Sequence, residues 1–510
     1  MRKIYRFLFS RYSVSAAAML CQLLVTVAVL LYASHSFAPF YALCLVMEIL
    51  TAIAVINDDM NPEYKIPWLV TVISLPIFGF FLYLVLHTRR MSRRESEQMK
   101  RSIEALQYAN TYECKLSMLG EESLLASTKA LAILRDDPLA KVYSDTACRY
   151  FSSGEQMFCD MLRDLRCARE FIFLEYFIIE QGYMWNEIHE VLRQKAEEGV
   201  EVRLLYDDIG CMTSLPKGYD RVLESEGIRC ARFSRFSAHL SCVHNNRDHR
   251  KITVIDGDIA YTGGINLADE YVGRKMRCGH WKDGGVRLCG SGALGLCAIF
   301  LSGWEVAYGG GAQKHAAYLR ARPVRGEPGY FIPFGSGPRP IYKRSVGKQV
   351  FLNIINQSQT FIYISTPYLI IDYDLTQALC GAARRGVDVR IITPRVPDKP
   401  LIKIMTKSSY PVLIEAGVRI YEYSPGFIHE KLLISDGSYA VVGTINLDYR
   451  SLVHHYENAV WIYGAPAVAE MLDSYLKTLS LSEEIGKHDA RLGPREAIFK
   501  NIIRIFAPLL

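Results

Sequence analysis

The sequence predicts an α/β fold of two pseudo-symmetric lobes that face one another, preceded by membrane-embedded helices. Three observations predict it. The stretch HRKITVIDG at 249–257 returns as HEKLLISDG at 429–437. Apolar runs of strand character alternate with helical stretches in both halves of the chain. Three apolar stretches fill most of the first ninety residues.

A chain of 510 residues and 57.8 kDa exceeds the size at which single cores stop growing, so two or three domains are expected. The mean hydropathy of +0.08 is high for a chain with 22% charged residues and places part of the apolar content in a bilayer. A formal net charge of +6 is small for this length. Charge alone does not imply a dedicated nucleic-acid binder, but it does imply a mild attraction to anionic surfaces. The 13 cysteines form no CxxC pair and several lie in apolar runs, which points to a reduced, cytosol-facing body. Cys278 and His280 lack a third and fourth ligand at metal spacing, so no metal and no other cofactor is expected.

Apolar stretches at 13–33, 37–56 and 67–86 each have about the 20 residues that cross a hydrocarbon core of about 30 Å. A signal peptide is disfavoured: Arg2, Lys3, Arg6 and Arg11 form a basic leader, but the first stretch is long for an h-region and two more follow. Basic residues also follow the third stretch, so both flanks call for the cytoplasm. Three crossings would separate them. One stretch should therefore re-enter or lie in the interface, either the second because of Glu48 or the third because of Pro67 and Pro76.

The expected domain order is an anchor over 1–90, a solvated juxtamembrane helical linker over 91–140, a first lobe over 141–322, a Gly- and Pro-rich linker over 323–344, a second lobe over 345–485 and a tail over 486–510. AIFKNIIRIFAPLL, at 497–510, reads as an amphipathic segment lying on a membrane or packed on the body.

The repeat carries the chemistry. His249, Lys251 and Asp256 stand 180 positions before His429, Lys431 and Asp436, and Gly263 and Asn266 precede Gly443 and Asn446 by the same 180. Upstream, FIFLEYFII at 171–179 resembles FIYISTPYLII at 361–371, and GVEVRLLYD at 199–207 resembles GVDVRIITP at 386–394. Downstream, DGGVRLCG at 283–290 aligns with ENAVWIYG at 457–464, setting Asp283 against Glu457.

Duplicated HxKxxxxD followed by GxxN resembles the phospholipase D superfamily over roughly 140–485. With GGINLADEY at 263–271, GTINLDYRS at 443–451, GFIHEK at 426–431 and the apolar N-terminus, the chain resembles the bacterial cardiolipin synthases of that superfamily. The resemblance implies phospholipase D-type lobes that form one active site on a multi-pass protein of the bacterial cytoplasmic membrane. It also implies phosphatidyl transfer between two molecules of phosphatidylglycerol, releasing glycerol, on an anionic membrane and without nucleic acid. The oligomeric state stays open.

The residue types fit that chemistry. Strand alternation points His249 and Lys251 to one side, and likewise His429 and Lys431. Lobes placed face to face would set both histidines across one phosphate, one as nucleophile and the other as acid and then base. In the family the N-terminal motif commonly supplies the nucleophile, which implies His249. Lys251, Lys431, Asn266 and Asn446 would hold phosphoryl oxygens. Asp283 and Glu457 are expected to orient the histidines, while Asp256 and Asp436 either share in catalysis with their motifs or anchor a strand–turn junction. Arg250 and Glu430 face the other side of their strands and are expected to matter little to which histidine is the nucleophile. The same motif serves lipid hydrolases and nucleases. Membrane segments favour lipid, and two intact motifs disfavour a non-catalytic scaffold.

Overall fold

The computed structural model describes residues 38–58, 62–86, 91–112, 119–120, 123–234, 246–320, 327–342, 344–490 and 493. The first apolar stretch at 13–33, the basic residues 89 and 90 and the amphipathic segment 497–510 lie outside them. The chain divides into two compact units, one holding 1–90, 236–245 and 501–510, the other 91–235 and 246–500.

In the first unit, the second apolar stretch is the helix Ala38–Asn57, and the third is split into Pro62–Ser74 and Pro76–Leu86. The split falls before Pro76, whose ring has no N–H for a continuing helix. Val55, Trp68 and Tyr83 pack together, with the two rings edge to face at 5.4 Å. Among the described residues, no helix is long and apolar enough to cross a membrane. Leu43, Val46, Leu50, Ile53 and Ile56 nevertheless stand exposed along the first helix.

The second unit is built on two sheets. The first contains β1 (Thr146–Phe151), β2 (Phe171–Tyr176), β3 (Glu201–Asp207), β4 (Arg229–Phe233), β5 (Lys251–Ile255), β6 (Ile259–Gly263) and β8 (Gly285–Gly290), while β7 (His280–Lys282) stands apart. Their order is β1-β8-β6-β5-β2-β3-β4. The second sheet contains β9 (Tyr330–Ser336), β10 (Phe361–Ser365), β12 (Asp388–Pro394), β13 (Arg419–Tyr423), β15 (Leu432–Ser435), β16 (Tyr439–Gly443), β18 (Glu457–Tyr463) and β19 (Ser482–Glu484). Read in the same direction it runs β9-β18-β16-β15-β10-β12-β13, with β19 added at the far edge. The short strands β11 (Leu369–Ile370), β14 (Gly426–Ile428) and β17 (Leu447–Asp448) complete the second half. Strand for strand, the two halves have one topology. β2, β3 and β4 run parallel through helical crossovers, as do β10, β12 and β13, whereas each motif strand, β5 or β15, is antiparallel to its neighbours.

The lobes exchange short pairings. β14, which leads into His429, pairs in parallel with β7, which leads into Asp283. In the pseudo-symmetric place, Asp248 bridges Tyr456, which leads into Glu457. Each motif histidine is thereby laid beside a carboxylate of the other lobe. The almost wholly buried helix Gly292–Ala307 packs against β2, β5, β8 and β9, reaching elements of both sheets.

Two expected linkers belong to the folded body. The stretch after residue 91 forms the helix Arg93–Ala109, opened by a reciprocal capping box of Ser92 and Glu95, and buries Met99, Ile103 and Leu106 in the main core. Its charged residues mark one face of an amphipathic helix, not a solvated linker. The Gly- and Pro-rich stretch contains β9, buried along its whole length. Pro333 is tolerated because β9 is an edge strand, with a side that needs no donor.

Candidate active site

His249 and His429 end the lead-in segments just before β5 and β15, and both are about nine-tenths buried. His249 Nδ1 lies 3.0 Å from Glu457 Oε2, and His429 Nδ1 lies 2.6 Å from Asp283 Oδ2. Backbone pairing fixes the approach: His249 N donates to the Tyr456 carbonyl at 2.9 Å and His429 N to the Lys282 carbonyl at 2.7 Å. A carboxylate at Nδ1 holds the proton there and leaves Nε2 as the reactive nitrogen.

Lys251 Nζ donates to the His249 carbonyl at 2.6 Å, and Lys431 Nζ lies 2.8 Å from His429 Nδ1. The charge of Lys431 lowers the pKa of Lys251, and that of Lys251 lowers those of His249 and His429, so the four groups lie within electrostatic reach of one another. Burial dominates all four shifts. It takes His249 to about 3 and His429 to about 4, with Lys251 and Lys431 brought down to about 7 and about 8. Glu457 and Asp283 are held below the usual carboxylate range, against burial, by the hydrogen bonds and nearby cations. The site therefore holds neutral imidazoles over ionised carboxylates, and an anionic phosphodiester would draw protons back onto the imidazoles and lysines.

The carboxylates are supported differently. Glu457 also accepts from Thr444 Oγ1 at 2.5 Å and Ser451 Oγ at 2.6 Å. Asp283 accepts from Gly284 N at 2.8 Å, and a Cβ on Gly264, the counterpart of Thr444, would fall 2.2 Å from Asp283 Oδ1. Asn266 is engaged, with Nδ2 donating to Tyr271 OH at 2.6 Å and Oδ1 accepting from Ile178 N. Asn446 is buried beside Ser451, and its Oδ1 has no partner among the described residues.

Asp256 and Asp436 are not brought to this pocket. Both adopt positive φ, at 53° and 54°, in the turn after their strand. Asp256 accepts from the amides of Arg169, Glu170 and Phe171, and Asp436 from those of Gln359, Thr360 and Phe361. Each ties the end of a motif strand to the start of β2 or β10, so the catalytic assignment is corrected to a structural one.

Arg250 and Glu430 face away from the pocket, as strand alternation predicts. Both are fully buried, Arg250 against Glu175 at 3.3 Å and Glu430 against Lys282 at 3.1 Å and Tyr150 OH at 2.5 Å. The sequence shows alternation but not that both faces of these strands are covered. Tyr271, Trp281, Phe427, Phe177 and His455 were also missed. Their rings lie 4.9–5.9 Å from a motif histidine, and their only signal was closeness to the repeated runs.

Among the described residues, His249, His455 and Glu457 group their ligand atoms within 4.8 Å of one another. An ion there would have to compete with Thr444, Ser451 and the His249 ring for the carboxylate. The arrangement instead suits a single tetrahedral anion between two Nε2 atoms, with lysines at its oxygens.

A family model described as cardiolipin synthase, PLD-like domain, matches residues 161–277 and again 351–479, and one described as phospholipase D-nuclease N-terminal matches 48–86. An uncharacterized protein of Streptococcus mutans is 38% identical over 462 residues, spanning 89% of this chain and 98% of its own. The cardiolipin synthase of Alkalihalophilus pseudofirmus is 32% identical over 474 residues, spanning 91% and 92%. The crystal structure of phosphatidylserine synthase from Haemophilus influenzae shares the fold, with a TM-score of 0.56 at 16% identity over 71% of this chain and 94% of that one.

Proposed function

We propose that this chain, which belongs to the cardiolipin synthase family with phospholipase D-like domains, transfers the phosphatidyl group of one phosphatidylglycerol to a second, giving cardiolipin and glycerol. The observation that carries the reading is the crossed pair of imidazoles, each held at Nδ1 by a carboxylate of the other lobe. In the first step one Nε2 lone pair bonds to phosphorus, the bond to the glycerol oxygen breaks, and the other imidazolium gives that oxygen its proton. A hydroxyl of the second phosphatidylglycerol then yields its proton to the same imidazole and attacks phosphorus, and the nitrogen–phosphorus bond breaks. Lys251, Lys431 and Asn446, with Asn266 behind Tyr271, would offset the charge gathered on the phosphoryl oxygens.

Membrane association follows from the lipid substrate and from the match at 48–86. We take the anchor to be two or three segments within 1–90, with the exposed apolar residues of Ala38–Asn57 facing acyl chains, and the catalytic lobes to lie on the cytoplasmic side of a bacterial membrane.

Incubation of the full chain with headgroup-labelled phosphatidylglycerol in vesicles tests the activity. Cardiolipin and free glycerol in equal amounts are expected. Phosphatidic acid as the main lipid product would make the protein a hydrolase instead.

A further inference from the structure

The two halves keep one register and then lose it. Asn266 precedes Asn446 by 180 positions but Asp283 precedes Glu457 by 174, so the first lobe carries six more residues than the second between those landmarks. Aligned from both sides, Tyr271 falls on Ser451 and Cys278 on Leu452, which leaves Val272, Gly273, Arg274, Lys275, Met276 and Arg277 without counterparts. Three of the six are cations and none is an acid. The second lobe passes the same place in a single tight turn of helix, Arg450–His454.

The extra residues stand out from the body. Val272 is buried and closes a short 3₁₀ turn, Asp269–Val272, which Gly273 ends in the left-handed region at φ 66°. From Gly273 to Arg277 every residue is exposed, and Met276 keeps 72% of its surface. One exposed methionine is ordinary on any protein. What marks this one is its place among three cations, on residues that the other lobe lacks. Arg274 lies over the exposed Tyr183 ring at 4.6 Å, and Lys275 Nζ meets Glu180 at 2.7 Å in a surface pair of small worth. The other acids nearby offset little of the charge: Asp269 is spent on the amides of Tyr183 and Met184, and Glu270 is buried, which raises its pKa.

Both ends of the loop reach the site. Tyr271 before it and Trp281 after it set their rings 5.5 and 5.7 Å from the His429 imidazole. Cys278 Sγ donates to the Pro397 carbonyl at 3.7 Å, which brings the exposed Val396 and Lys399 of the second lobe beside the end of the loop. We propose that residues 273–277 dock on an anionic bilayer surface, the three cations against lipid phosphates and Met276 among acyl chains, and so hold the mouth of the site at the level from which phosphatidylglycerol enters. Long Arg and Lys stems keep their charge among the headgroups while the thioether between them goes deeper. A soluble phosphate would meet the same cations but would gain nothing from an exposed methionine in their midst. The docking deepens the lipid reading above, yet it requires no turnover.

The test reconstitutes full-length Met276→Trp protein in vesicles of phosphatidylglycerol and phosphatidylcholine with brominated acyl chains, and follows the emission it adds to that of the five native tryptophans. The added emission should be quenched when phosphatidylglycerol is abundant. Quenching should fall when phosphatidylcholine replaces it, and when Arg274, Lys275 and Arg277 are all changed to Gln. Added emission that brominated phosphatidylglycerol leaves unquenched overturns the docking, and equal quenching in phosphatidylcholine alone overturns its dependence on charge. An inactive protein would still answer, so its inactivity would count against the transfer and not against the docking. In a kinetic arm, Arg274→Gln, Lys275→Gln and Arg277→Gln together should raise KM for phosphatidylglycerol in vesicles by up to about fivefold for each cation removed, with kcat at saturating lipid within about twofold. KM for a short-chain phosphatidylglycerol kept below its micellar concentration should not move. An unchanged KM for vesicles removes the cations from the membrane contact, and an equal rise for the monomeric lipid places them on a single bound molecule instead of a bilayer.

Discussion

Asp283, just before β8, and Glu457, at the start of the equivalent β18, do the same work for opposite histidines, yet one is a methylene shorter and their neighbours differ to match. Glu457 has Thr444 and Ser451 as hydroxyl donors. Asp283 has Gly264 where Thr444 would stand, because any Cβ there would collide with its carboxylate, and it takes a backbone amide from Gly284 instead. Side-chain length and neighbour bulk have been exchanged so that each carboxylate still meets Nδ1. The duplicated feature under constraint is therefore the carboxylate–imidazole contact across the lobes, and the residues that deliver it vary freely around it.

Breaking that contact gives the largest expected effect. Asp283→Asn and Glu457→Gln keep the shape but no longer fix the tautomer, and kcat should fall about 10²- to 10⁴-fold in each. The unlike surroundings sharpen the expectation. In Glu457→Gln the amide N–H₂ can face Ser451, whose hydroxyl turns to accept, and leave the oxygen to His249 and Thr444, whereas in Asp283→Asn the one oxygen can serve His429 or the Gly284 amide but not both, so the asparagine variant should be the worse of the two. Steady-state rates beside circular dichroism would measure this. Loss within a few-fold in a folded Glu457→Gln protein would remove the carboxylate from its orienting role.

The repeat made much of this legible. A fixed spacing of 180 located both motifs and both GxxN turns, and the ungapped match at 283–290 and 457–464 located both carboxylates. It did not say that they pair crosswise. That follows from the parallel strands β7 and β14 and the Asp248–Tyr456 bridge, contacts between segments far apart in sequence that leave no periodic trace. β9 was hidden because Pro333, Gly335 and Gly337 have linker chemistry, which an edge strand tolerates. The burial of Arg250 and Glu430 was not legible because alternation tells which face a residue takes and not what covers that face. The walls around the histidines were illegible for the same reason: Trp281 and His455 occupy one aligned column, but only the fold turns that column toward the chemistry.

Asp256 and Asp436 provide a middle-sized test, since the two lobes treat them alike. Each accepts backbone amides at the start of a parallel strand, and Asp436 is held below the usual carboxylate range by those bonds. Alanine at either position should cost about 1–3 kcal/mol of stability by orphaning amide donors, lowering Tm, with kcat at low temperature nearly unchanged. A large loss of kcat in a protein of unaltered Tm would return these residues to the chemistry.

The smallest effect separates the lobes by pH. Burial lowers Lys251 to about 7 and Lys431 to about 8, so each amine is charged below its value and loses charge as pH rises through it. An anionic phosphodiester binds the charged forms and takes up protons as it does so. KM should therefore rise on the alkaline side, by up to about tenfold per pH unit for each lysine that must be reprotonated. The first bend should fall near pH 7 from Lys251 and the second near pH 8 from Lys431. A guanidinium stays charged throughout. Lys251→Arg should abolish the lower bend and leave the upper one, and Lys431→Arg should do the reverse, whatever either does to kcat. KM profiles from pH 6 to 9 at fixed ionic strength, with vesicle charge held constant, would show whether the bends exist, and profiles that stay flat in the unaltered protein would mean that neither lysine meets the phosphate.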